Sequence, residues 1–141
     1  MPSSILVAHD GSSHAQSALK YALETFPDAR IVLFHAIDPF ETSPGEDRLS
    51  SLTEEWLQRE REAAEELFEG ALAELDVEPD TVDTDTAVGS PAQTIVAAVE
   101  RTDADQIVVG SRGRGGVGES HVGSTAELVV KRASVPVTVV R

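Results

Sequence analysis

Five short runs of apolar and β-branched residues recur along this chain, and a helical pattern separates each from the next. Ser4 to His9 reads as a strand buried on both faces. Asp10 to Ser13 is turn and cap chemistry, and Ala15, Ala18, Leu19, Ala22 and Leu23 then share one face of a helix from Ser13 to Thr25. Pro27-Asp28 breaks that helix, and a second strand runs from Arg30 to Ile37. A Pro- and Gly-containing loop covers 38–48, and a long amphipathic helix is expected from Leu49 to Leu75. The Glu-rich run on its other face reads as a solvated surface. Thr81 to Val88 alternates as a more exposed third strand, and Pro91 opens a helix that ends near Arg101. Gln106 to Val109 is the fourth strand, Ser124 to Arg132 the fourth helix and Val137 to Val140 the last strand.

Strict alternation of this kind leaves little choice of architecture. Parallel strands need crossover connections, and right-handed crossovers place helices on both faces of the sheet. The expectation is one α/β domain over residues 1–141: a doubly wound, Rossmann-like, five-stranded parallel sheet with four helices and strand order 3-2-1-4-5. In that order strands 1 and 4 are neighbours, and ligands bind outside the carboxyl ends of strands where the winding reverses. Asp10 ends strand 1 and Gly110 ends strand 4, so two distant stretches converge on one crevice.

The second of those stretches is the most distinctive. Between strand 4 and the last helix lie six glycines: Gly110, Gly113, Gly115, Gly116, Gly118 and Gly123. Glycine lets a ligand approach the main chain, and a helix N-terminus offers N–H groups and the positive end of a dipole to an anion. Ser124 or Thr125 is expected to cap the helix. Strand, glycine loop and capped helix together read as a backbone cradle for phosphate. A Walker A loop is absent, because no lysine lies in the segment. Gly113 to Gly118 fits G-x-G-x-x-G, but the helix begins too late and the strand is not the first of its unit.

Gly110-x-x-Gly113, nine residues, then Gly123-Ser124 resembles the nucleotide-binding signature of the universal stress protein family, in its ATP-binding branch. The resemblance extends to Ile5–Ser12 and to Val135–Val140. It implies a regulatory ATP-binding protein of the stress response, with ADP or AMP as other occupants and Mg2+ or Mn2+ accompanying the nucleotide. It places Asp10 on the ribose and near any divalent ion. Ala8 and Ala36 would line the adenine slot, as small apolar residues can, and Val88 and Gly89 would complete its wall. Gly110, Gly113, Gly123, Ser124 and Thr125 would hold the phosphates, with Arg112 adding positive charge and Arg114 facing solvent. Each assignment has a plainer counterpart. Asp10 can cap the first helix, and Ala8 and Ala36 can be core. Glu119 puts a negative charge into the loop that would receive triphosphate. Of the histidines, His9 lies near the site, His14 opens a helix, His35 reads as a core residue and His121 as a loop residue. No two have metal-ligand spacing. The resemblance also implies a homodimer through Val137–Val140, a β-branched edge strand that would otherwise stand unpaired.

Composition narrows the partners. The net charge of −14 opposes general binding to nucleic acid, which relies on lysine and arginine at phosphates. No apolar run approaches the ~18 residues of a membrane span, and no signal peptide is legible, so a cytoplasmic protein is expected. The absence of cysteine removes disulfide and thiolate chemistry. Acid excess with two lysines, Lys20 and Lys131, fits a halophilic protein whose self-repulsion is relieved by screening. The melting temperature is therefore expected to rise with KCl; equal stability in low and multimolar salt contradicts this. Two other functions compete with nucleotide-dependent regulation: slow hydrolysis of ATP or another adenine nucleotide, using Asp10, His9 or His121, and a nucleotide-free dimeric interaction module with an unknown protein partner.

Overall fold

The computed structural model describes residues 3–39, 53–111 and 123–141. Arg112 and Gly113 of the expected phosphate cradle lie outside the described residues, as do Arg114, Glu119, His121 and the expected helix start at Leu49.

Strands β1 (Ser4–Ala8), β2 (Arg30–Ile37), β3 (Asp83–Val88), β4 (Gln106–Gly110) and β5 (Val137–Val140) alternate with helices α1 (Ser13–Thr25), α2 (Glu54–Glu74), α3 (Pro91–Thr102) and α4 (Ser124–Arg132). The strands form one sheet in the order β3-β2-β1-β4-β5. All pairings are parallel, with Ile5 opposite both Ile31 and Gln106. The expected strand order and class are those observed.

The alternation of side chains along β1 explains the layering. Ile5 and Val7 point to one face, where Ala18, Leu19 and Ala22 of α1 and Phe68 and Leu72 of α2 cover them. Leu6 points to the other, against Ile95 and Val99 of α3 and Val129 of α4. A strand between two helical layers has no solvent face, which is why its sequence is apolar throughout. Edge strand β3 is only partly covered and keeps its polar alternation.

Several element ends shift by one or two residues, and the start of α2, the start of β3 and the cap of α4 differ for identifiable reasons. Thr53 has extended backbone (φ −86°, ψ 159°), and its hydroxyl accepts the Trp56 N–H, so α2 starts at Glu54 rather than running on from Leu49. Apolar periodicity continued through Thr53, but a hydroxyl that satisfies a first-turn N–H ends a helix there. Residues Pro79–Thr81 form a 3-10 turn, and β3 begins two residues later than expected. The N-cap of α4 is Gly123, which places Ser124 and Thr125 inside the first turn, with no side-chain cap.

Candidate functional site

The carboxyl ends of neighbouring strands β1 and β4 lie next to the first turns of α3 and α4. A cleft of about 220 Å3 opens there. Ala8, Ala36, Phe34, Val109 and Ile95 give it apolar walls; Asp10, Gly110 and Thr125 bring polar atoms to it. Five of the expected residues, Ala8, Asp10, Ala36, Gly110 and Thr125, thus meet around one space. Gly123 and Ser124 sit beside Thr125 at the start of α4. Val88 and Gly89 do not line the cleft. They end edge strand β3, separated from the β1–β4 divide by β2 and β1, and Val88 is 47% exposed. The wall on that side comes from Pro91. Gly89 is needed for the turn itself: its φ is +150°, and its N–H donates to the Ile37 carbonyl at 2.9 Å.

Gly110 has a packing reason that is independent of any ligand. A Cβ there would stand 2.6 Å from the carbonyl carbon of His14, 2.7 Å from its oxygen and 2.9 Å from the Ala15 nitrogen. The end of β4 lies against the backbone of α1, and only glycine permits that approach. Just beyond, Ser111 N donates to Val140 O at 2.7 Å, and Ser111 O accepts from Gly123 N. Ser111 and Gly123 are therefore held side by side, next to the cleft residues Gly110 and Thr125.

Asp10 occupies the turn between β1 and α1. Its Oδ1 accepts the Ser12 N–H at 2.9 Å, while Ser12, not Asp10, caps α1 by accepting from Ala15 N. His9, one residue earlier, is only 5% exposed. Its Nδ1 accepts the Gly11 N–H at 3.0 Å, so the proton sits on Nε2 and is donated to Gln16 Oε1 at 2.8 Å. Gln16 in turn donates to the Ala71 carbonyl of α2 at 2.9 Å. His35 Nδ1 donates to the His9 carbonyl at 2.8 Å, and His35 also lines the cleft. In the sequence His9 stands only as a residue near the site and His35 as a core residue. The relay they share reaches from His35 through His9 and Gln16 to Ala71, 55 residues beyond Gln16, and no local pattern reports that.

Burial lowers the pKa of His9 from its ordinary value of 6.5, against the opposing pull of Gln16, Asp10 and Glu74; His35 adds to the depression. A histidine held neutral in the fold contributes stability above its unfolded pKa. That contribution is lost as pH falls below about 6.5 and through the lowered folded value. The stability advantage of the native protein over His9→Asn is expected to shrink between pH 7 and 5 in urea titrations. An advantage constant across that range contradicts the depressed value.

Among the described residues no group of three His, Cys, Asp or Glu side chains is placed to hold a metal ion, and no helix is long and apolar enough to cross a membrane.

Fold and cleft define a doubly wound α/β protein with a partly polar crevice at its switch point. The model of the universal stress protein family matches residues 1–141. A universal stress protein of Thermus aquaticus, named for its place in the QAH/OAS sulfhydrylase 3' region, is 37% identical over 139 residues, 97% of each chain. This chain belongs to the universal stress protein family. A Methanocaldococcus jannaschii protein, whose structure served as a test case for structure-based assignment of biochemical function, has a TM-score of 0.77 and 31% identity, with 98% of this chain and 94% of that one covered. A family member from Arabidopsis thaliana, solved with AMP bound, shares the fold at 24% identity and a TM-score of 0.63, covering 99% of this chain and 91% of its own.

Proposed function

We propose that residues 1–141 form one adenine-nucleotide-binding domain, with ATP as its principal occupant, acting as a cytoplasmic regulator of the stress response. The observation that carries this reading is the meeting of small apolar walls, a carboxylate and a helix N-terminus around one cleft. Ala8 and Ala36 leave room for a flat base. Asp10 accepts ribose hydroxyls. The phosphates extend toward Gly123, Ser124 and Thr125, where first-turn N–H groups have no partner within the helix. Micromolar affinity requires about 8 kcal/mol, more than exposed helix-terminus contacts of about 0.3–1 kcal/mol each provide, so burial of the base contributes much of it.

The donor set suits a divalent ion carried in by the phosphates. Mg2+ is commonly held by one or two carboxylates plus phosphate and water, and Asp10 is the carboxylate lining the cleft. Mn2+ takes similar oxygen donors. When bound, the ion would screen phosphate charge in a strongly acidic protein.

Calorimetric titration with ATP and Mg2+ tests the reading. A dissociation constant on the order of micromolar is expected for the native protein, with Asp10→Ala weaker by roughly tenfold or more. Equal binding by both proteins removes Asp10 from the site. Hydrolysis is disfavoured by one feature: both ring nitrogens of His9 are already engaged, so it is not poised as a base. Steady-state phosphate release is expected to stay at background.

We also propose a homodimer through β5, whose outer edge has no strand partner among the described residues. Light scattering is expected to give twice the chain mass of 15.0 kDa; the mass of one chain contradicts the dimer.

A further inference from the structure

We infer that His9 and Gln16 form a positioning pair that aims Asp10 into the cleft, so that the ribose contact depends on a tie running from the cleft-lining His9 to α1 and α2. This rests on the adenine-nucleotide reading of the cleft. Each polar atom of His9 is engaged. Its N–H donates to Phe34 O at 2.7 Å, its carbonyl accepts from His35, Nδ1 accepts from Gly11 N, and Nε2 donates to Gln16. The residue is thereby tied to β2, to α1 and to its own turn. Gln16 is fixed in turn by the Ala71 carbonyl of α2. Asp10 lies between this anchored residue and Gly11, whose N–H His9 holds and whose φ of +88° sets the direction of the turn. The Asp10 carboxylate is itself held by the Ser12 N–H at 2.9 Å, so its direction follows the turn that the Gly11–His9 bond fixes.

The two ring nitrogens do different work. Nδ1 holds the turn directly; Nε2 and Gln16 hold the ring so that Nδ1 stays aimed. Asparagine at position 9 can present an acceptor near the Nδ1 position, whereas phenylalanine keeps the ring and loses both polar atoms.

The test compares ATP with 2′,3′-dideoxy-ATP by calorimetry in the native protein, His9→Phe, His9→Asn and Gln16→Met. The readout is the ratio of the two affinities. A carboxylate aimed at the ribose gives the native protein a preference for ATP of roughly tenfold or more. His9→Phe is expected to reduce the ratio below about threefold, His9→Asn to restore most of it, and Gln16→Met to fall between, which supports the pair even if His9→Phe fails to fold. A merely structural role lowers both affinities alike and leaves the ratio at its native value, which overturns the inference. So does a ratio lost equally in His9→Asn and His9→Phe. A native protein that binds neither nucleotide overturns the reading of the cleft itself; one that binds both equally keeps the cleft but removes the ribose contact and the inference with it.

Discussion

Gly110→Ala is expected to lower stability by about 3 kcal/mol, near the upper end of overpacking costs, with no nucleotide present. The added methyl meets main-chain atoms of His14 and Ala15 at 2.6–2.9 Å. Backbone in the first turn of a helix cannot swing aside as a side-chain tip can. Relief requires β4 and α1 to separate, and Val108 of β4 shares a core with Ala18 and Leu19 of α1. For a chain of this length the melting temperature would drop by about 10 °C. Thermal melting of the nucleotide-free protein measures it. An unchanged melting temperature would mean that the close approach is not a constraint and that this glycine serves the ligand alone.

The second large effect has the opposite character. Gly123→Val is expected to leave the fold standing and to remove nucleotide binding. Gly123 caps α4 at φ −64° and ψ 156°, an extended conformation open to any residue. Replacing glycine by valine at a helix N-cap costs about 1 kcal/mol. A branched side chain at that position stands where phosphate would approach the first-turn N–H groups. Loss of that cradle corresponds to about 3 kcal/mol, or roughly 100-fold in affinity. Calorimetry and melting on the same preparation separate the two effects. Native-like affinity would remove the start of α4 from the site, and a collapsed melt would show the position to be structural.

These two glycines show what could be read from the chain. Both belong to the motif that signalled the site, and the motif treats them alike. The structure separates them: Gly110 is fixed by helix backbone 96 residues earlier in the chain, counted to His14, and Gly123 only by its place at a helix start. Element order, strand order and the cleft at the switch point were legible because they follow from local periodicity and chain handedness. Asp10 and Thr125 were legible as cleft residues because strand ends and helix starts identify themselves locally, whereas Ala8 and Ala36 were named through the family resemblance. The relay from His9 through Gln16 to Ala71 was not. It depends on how α1 and α2 pack, and a glutamine within an amphipathic helix looks like any surface residue. The start of α2 was misplaced for a related reason: leucines at helical spacing continued through a threonine whose cap appears only in three dimensions.

The central claim is that the cleft holds an adenine nucleotide. The most direct measurement is to purify the protein natively in high salt, denature it, and identify the released small molecules by chromatography and mass spectrometry, followed by titration of the emptied protein with ATP and Mg2+. The account predicts adenine nucleotide approaching one per chain, or stoichiometric uptake by protein isolated empty. Neither release nor uptake by a folded protein would contradict it.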